Sequence, residues 1–314
     1  MPAMCQPRET ADLFAPLRRY ESIIPRFSEF LKCVASPLPK TVRINTLKAS
    51  LEDVLASLEE RGIKFKPLGW YEHGIKLLGV EKPGNLFEYF LGLIHPQEEV
   101  SMIPPLLMDL EPSELVLDLC AAPGSKATQI AQLMGNTGHV VANDVSLSRL
   151  SLLRDNYERL GVMNMSATLY DGRRFPAVCQ FDKVLVDAPC SCEGVVRKDL
   201  SVLRALGPRL YWRMHKLQRA LLLRAVRLVR PGGLVVYSTC TFAPEENELV
   251  VDYVLRRVEG LEVLPVELES LRYEPGLTEW DGHELHPDLA YCARFYPHLN
   301  DTGGLFVAVL RRLR

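Results

Sequence analysis

One stretch limits what this chain can fold into more than any other: Leu115 to Lys126, reading LVLDLCAAPGSK. Leu115–Leu119 reads as a strand, the small residues after it as a tight turn, and a helical pattern begins near Ser125. Ala121, Ala122 and Gly124 leave room for backbone to approach a ligand, and Pro123 restrains the turn. A strand, turn and helix of this kind belongs to a nucleotide-binding α/β sheet, whose ligands bind beyond the carboxyl ends of the strands.

The rest of the chain agrees with that frame. Strands are expected at Leu115–Leu119, His139–Asn143, Ser166–Tyr170, Lys183–Asp187 and Leu234–Ser238, with late strands at Glu262–Val266 and Leu305–Leu310. Helices are expected between them, at Lys126–Met134, Ser146–Leu160, Trp212–Val229 and Pro244–Arg257. About seven strands in this alternation predict a mostly parallel sheet covered on both faces. Ahead of it lies a small α+β unit, with strands at Thr41–Thr46, Ile63–Trp70 and Gly74–Val80 and a helix over Leu51–Arg61. Residues 1 to about 30 are expected to be helical, broken at Pro16 and Pro25. His95-Pro96-Gln97-Glu98 is expected to open a helix running toward Leu107. The boundary between the units falls near residue 92, giving 1–92 and 93–314. The small unit reads either as a stabilising appendage or as a platform that grips substrate.

Chemistry gathers at the strand ends. Asp144 follows the second strand of the large sheet, where a carboxylate can accept from ribose hydroxyls. Asp171 follows the third, Asp187 ends the fourth and Cys240 follows the fifth. A lone acid there is commonly a helix N-cap, but several on one edge facing a small-residue loop describe an adenosine-type pocket. No G-x-x-x-x-G-K-[ST] pattern is present, which argues against triphosphate binding. Cys190 and Cys240 add a possible nucleophile, since a thiolate attacks strongly once its pKa is lowered or a proton acceptor is near.

The net charge of −2 over 314 residues gives no general affinity for nucleic acid, so any basic surface must be local. Between Asp199 and Glu245 no acid occurs, and Arg213, Lys216, Arg224 and Arg227 share one face of a helix, either solvated or set against an RNA backbone. No apolar run reaches the roughly 18 residues of a membrane span, and the first residues lack an export pattern. Eight cysteines in a chain of this length fit free thiols in a reducing cytoplasm better than disulfide staples. Cys190 and Cys192 form a C-x-C pair, but no second pair completes zinc-ligand spacing, so no metal is expected.

Read together, DLCAAPGSK (Asp118–Lys126), DAPCSCEGVVRKD (Asp187–Asp199) and YSTCTFAPEENE (Tyr237–Glu248) resemble the RNA cytosine-5 methyltransferases of the NOP2/Sun (RsmB/NOP) family. TVRINTLK (Thr41–Lys48), PQEEVSM (Pro96–Met102) and RFYPHLNDTGGLFVA (Arg294–Ala308) extend the resemblance over nearly all of the chain after residue 40. It implies a class I S-adenosylmethionine-dependent methyltransferase fold with a small RNA-binding N-terminal domain. It also implies that Cys120, Ala121, Ala122, Pro123, Gly124, Ser125 and Lys126 contact the methionine end of S-adenosylmethionine. Asp144 would hold the ribose with Arg149 nearby, and Asp171 would lie beside adenine. Asp187 would bond the cytosine edge, Cys240 would be the nucleophile, Cys190 would assist product release, and Lys198 would contact the active site. Cys192 stands where the family often has glycine. The resemblance further implies an RNA partner, tRNA first and rRNA close behind; independently of it, the chain is expected to be cytoplasmic and monomeric. A non-catalytic RNA-binding assembly factor and a DNA cytosine methyltransferase are the alternatives, and the Thr-Cys motif argues against the second.

Overall fold

A computed structural model describes residues 13–313. The first 12 residues of the expected N-terminal helical stretch lie outside it.

The leading unit is a four-stranded antiparallel sheet of β1 (Lys40–Ile44), β2 (Lys64–Leu68), β3 (Tyr71–Leu78) and β4 (Ile94–Pro96), in the order β2-β3-β1-β4. The helix Leu51–Glu60 covers it, N-capped by Ser50, whose hydroxyl accepts from Asp53 N. Val54 and Leu58 of that helix meet Val42, Ile44, Ile75 and Ile94 in a separate small core.

β4 corrects the expectation of a helix opening at His95. Ile94–Pro96 pairs with β1, and helical structure begins only at Val100. Pro96 disfavours helical backbone at His95, and an unpaired edge of β1 is available to the extended segment. This strand also lies past residue 92.

The large sheet contains β5 (Leu115–Asp118), β6 (His139–Asp144), β7 (Met165–Leu169), β8 (Phe181–Asp187), β9 (Val229–Thr239), β10 (Leu261–Leu264) and β11 (Glu274–Pro275). After a short hairpin, β12 (Glu279–Trp280) with β13 (His283–Glu284), it is completed by β14 (Ala293–Phe295) and β15 (Leu305–Arg312). Its order is β11-β14-β15-β9-β8-β5-β6-β7, with β10 on β15. The sheet is thus nine-stranded and mixed, where seven mostly parallel strands were expected. β5 to β9 run parallel, and β10, β11, β14 and β15 are antiparallel. The two added strands are β11 and β14, which are too short to show a period of two.

Both faces of the sheet are buried, which is why its central strands read as continuous apolar runs. Along β8, Val184 and Val186 face Leu221, Leu222 and Ala225 of the helix Pro208–Leu228. Leu185 faces the opposite way, toward Ile103, Ile130 and Ala131. A further core was not anticipated: Leu17, Tyr20 and Phe30, ahead of the small sheet, pack on Val196, Tyr211, Phe242 and Tyr296 of the large unit.

Fully buried Arg43 on β1 ties the small sheet to the large unit. Its guanidinium donates to Gln97 Oε1 at 3.0 Å, to Thr128 Oγ1 at 2.9 Å and to Gln132 Oε1. The last two partners lie on the helix Ser125–Leu133 that follows the small-residue turn. All acceptors are neutral, and burial lowers the Arg43 pKa to about 10.

Candidate active site

β8 and β9 are parallel neighbours in register, with Asp187 opposite Ser238. The loops leaving their carboxyl ends therefore start side by side and carry Cys190 and Cys240 to the same place. The two sulfurs lie 3.3 Å apart. Cys192 Sγ is 3.8 Å from Cys190 Sγ, and all three sulfurs lie within 4.8 Å of one another.

These loops are pinned from below. Gly194 N donates to Cys240 O at 2.7 Å and Gly304 N to Gly194 O at 3.1 Å. Ser191 and Thr241 hydroxyls meet at 2.7 Å. Buried Glu193 accepts from Tyr20, Tyr211, the Thr241 hydroxyl and Phe242 N, tying the chain's start and the long helix to the Cys240 loop. Glu246 accepts from Ser191 N and Gln218. Its burial pushes that carboxyl up to about 7. Gly194 has no room for a side chain, since a Cβ there would stand 2.6 Å from Gly304 O and 2.8 Å from Cys240 O.

The thiols share hydrogen bonds. Hydrogen bonds with Cys190 and then Cys240 lower the pKa of Cys192. Its hydrogen bonds to Cys192 and Cys240, with burial, raise Cys190. The bond with Cys190 lowers Cys240, but Cys192 and burial outweigh it and leave that thiol well above its ordinary value.

Lys126, on the first turn of its helix, donates to Asp187 Oδ2 at 2.7 Å and to Ser101 Oγ at 3.1 Å. Ser238 Oγ donates to Asp187 Oδ1 at 2.9 Å. Burial opposes the Lys126 charge, yet Asp187 more than offsets it and raises its pKa. Ser101, Lys126 and Asp187, with the thiols, Lys198 and Gly303–Gly304, line a cavity of about 280 Å³.

A second, larger cavity of about 830 Å³ adjoins it and shares Cys120, Arg149 and Pro189. Asp144 lies on its wall, accepting from Ser146 N at 2.9 Å and pairing with Arg149 at 3.2 Å. Arg149 also donates to Ala122 O. Asp171 lines the same cavity but is engaged by Arg173 at 2.6 Å and caps a short helical turn. The small-residue turn borders both cavities at Cys120, and Ala121 N donates to Asn143 O at 2.7 Å. Gly124 (φ 109) takes a left-handed conformation, and a Cβ there would meet Leu153 at 2.8 Å. Ser125 is held by His95 Nε2 at 2.9 Å, while Arg159 donates to His95 Nδ1 at 3.0 Å. Burial, aided by Arg43 and Arg159, keeps this imidazole neutral, its pKa well below the usual value.

The cavities fit S-adenosylmethionine by their donors and acceptors. An acid ends the second strand beside an apolar wall of Leu119, Val145, Leu217 and Leu221, and open backbone lies near the junction.

Other residues were not singled out as site residues from the sequence. Glu98 accepts from Gly303 N at 2.8 Å and Ser101 N at 3.1 Å, and burial raises its pKa. Its motif, PQEEVSM, was the available signal. Trp212 and Arg209 on the larger cavity carried no comparable pattern. The expected basic helix face is divided: Arg213 and Lys216 are exposed on the larger cavity, and Arg227 is exposed. Arg224 departs from the expectation of a face open to RNA, because it is half-buried and donates to Phe175 O at 2.7 Å. Of the adjacent Arg197–Lys198, the arginine is buried on Pro37 O, Thr302 O and Asp301, leaving only Lys198 exposed.

Two family models match the chain. One, described as 16S rRNA methyltransferase RsmB/F, covers residues 105–311; the other, an RsmF/B-like ferredoxin-like domain, covers residues 25–81. A tRNA (cytosine(49)-C(5))-methyltransferase of Pyrococcus abyssi is 40% identical over 289 residues, covering 91% of this chain and 92% of that protein. A 28S rRNA (cytosine-C(5))-methyltransferase of Mus musculus is 40% identical over 291 residues and covers 90% of this chain, which spans only 36% of that longer protein. The crystal structure of a methyltransferase homologue from Pyrococcus horikoshii superposes with a TM-score of 0.84 at 33% identity, covering 97% of this chain and 100% of that one.

Proposed function

The chain belongs to the RsmB/F family of RNA methyltransferases, and we propose that it methylates C5 of a cytosine in RNA through a covalent adduct with Cys240, with tRNA as its substrate. The observation that carries this reading is the pair of thiols 3.3 Å apart in a cavity that shares Cys120, Arg149 and Pro189 with a larger, cofactor-sized one. Preference for tRNA is supported by the match over almost the full length of the Pyrococcus abyssi tRNA enzyme.

Asp144 and the Cys120–Lys126 turn would hold S-adenosylmethionine, which would supply an electrophilic methyl group on its sulfonium sulfur. Asp171 would border its adenine and Arg149 would steady Asp144. The target base must leave its stack to enter the smaller cavity. Cytosine C5 is a weak nucleophile. Cys240 gives its thiol proton to a base and adds to C6 as the thiolate; the ring then places electron density on C5, which takes the methyl group as that group's bond to the sulfonium sulfur breaks. Asp187 would accept from the exocyclic amine. The Lys126 ammonium beside it lies near the charge that builds on the ring as sulfur adds. Lys198, at the rim of the cavity, would contact the base or its phosphate. A base then takes the C5 proton, and the electrons of that bond reform the C5–C6 double bond and expel Cys240 as the thiolate. Cys190, 3.3 Å away, is placed to assist that release by hydrogen bonding to the departing sulfur.

The test is bisulfite sequencing of tRNA and rRNA incubated with the protein and S-adenosylmethionine, beside Cys240→Ala and Cys190→Ala. A cytosine in tRNA that becomes protected with wild type, fails with Cys240→Ala, and gives a persistent protein–RNA adduct with Cys190→Ala is the expected result. Protection confined to rRNA would reject the tRNA assignment. No cofactor-dependent protection in either pool would reject the reaction.

A further inference from the structure

Cys192 is the third sulfur of the smaller cavity, and the reaction proposed above gives it no role. Its backbone is left-handed (φ 63, ψ 29), at the start of the helical turn Glu193–Val195. A residue with a β-carbon costs about 1–2 kcal/mol there, where glycine would cost nothing. The turn thus holds a thiol against its backbone preference, and holds it against two other thiols.

The spacing of the three sulfurs suits a metal ion. Zinc–thiolate bonds of about 2.3 Å put tetrahedral sulfur ligands about 3.8 Å apart. Here two edges of the triangle are 3.3 and 3.8 Å, and the whole set lies within 4.8 Å. Side-chain torsions alone can close such differences. The loops below are fixed by Gly194, Ser191 and Glu246, so the triangle is already assembled. The three sulfurs line one cavity, which leaves space for water as a fourth ligand. The sequence concealed this arrangement, because C-x-C supplies two ligands and the third arrives from the neighbouring strand.

We propose that Cys190, Cys192 and Cys240 form a binding site for a thiophilic d10 cation such as zinc. Binding replaces the protons of the three thiols: Zn²⁺ and three S–H groups give a zinc trithiolate and release up to three H⁺. An ion held there occupies the sulfur of Cys240, so it would block addition to a base until a chelator removes it. The site depends only on the three sulfurs, and its test does not require methyl transfer to occur.

The full chain, metal-free and kept reduced under anaerobic conditions, is titrated with Co²⁺ and then with Zn²⁺. One Co²⁺ per chain is expected, with sulfur-to-cobalt charge-transfer absorption that one equivalent of Zn²⁺ abolishes. Cys192→Gly suits the left-handed turn and removes only the thiol. It is expected to weaken Zn²⁺ binding at least roughly 100-fold, above what loss of an outer partner does at metal sites. Cys192→Ser is the second variant, and Cys33→Ser and Cys179→Ser should leave binding unchanged. Absence of the charge-transfer band, or the same Zn²⁺ affinity in Cys192→Gly and wild type, would overturn the site.

Discussion

Asp118→Asn isolates one buried proton next to the active site. Asp118 ends β5, is 1% exposed, accepts from Cys120 N at 3.3 Å through Oδ1, and has no protein partner at Oδ2. Burial first, and then the nearby Asp187, push its carboxyl from 3.8 up to about 7. The sign follows from proton counting. Between those two values the folded protein keeps a proton that the unfolded chain has released. The stabilising contribution is therefore complete below the lower value and is lost as pH rises through the upper one. One such proton gives a slope of at most about 1.4 kcal/mol per pH unit. Across the window the loss is on the order of 2–4 kcal/mol, allowing for relaxation around the newly charged group. That is a large share of the roughly 5–15 kcal/mol typical of a folded protein.

Asparagine keeps the acceptor for Cys120 N and cannot titrate. Urea unfolding at intervals between about pH 4.5 and 7.5 should show wild type losing stability as pH rises. The variant should be flatter by close to one proton. Glu246, also raised to about 7 by burial, contributes a second proton in the upper part of this window, which Glu246→Gln should remove separately. Identical slopes for wild type and Asp118→Asn would refute the reasoning.

Three further outcomes follow from the packing. Gly194→Ala drives a β-carbon into backbone of Gly304 and Cys240, neither of which can swing aside. Its kcat should fall on the order of 100-fold, the scale of an ångström's misplacement, while calorimetry shows cofactor affinity retained. Glu248→Gln leaves Arg294, 2% exposed, without its paired carboxylate. Thermal and urea unfolding should register a loss of about 3–5 kcal/mol. Asp144→Ala removes a charged acceptor from the larger cavity. S-adenosylmethionine binding, read by calorimetry, should weaken roughly 10- to 100-fold, as for loss of one hydrogen bond to a charged group.

Local pattern alone determined much of this protein. The alternation of apolar strands and amphipathic helices after Glu114 is legible because strands buried on both faces must be apolar throughout. The turn at Cys120–Lys126 is legible because backbone approach and left-handed φ demand small residues. The placement of Asp144, Asp171, Asp187 and Cys240 at strand ends needed only those elements. Tertiary structure decided what depends on partners distant in the chain. Whether Ile94–Pro96 became strand or helix turned on the open edge of β1. Arg224 left the expected basic face because Phe175 offers it a carbonyl. The segment around Tyr20 joined the large unit because Glu193 gives Tyr20 a buried acceptor. The triangle of Cys190, Cys192 and Cys240 exists because β8 and β9 lie side by side in register, a pairing that no local spacing encodes.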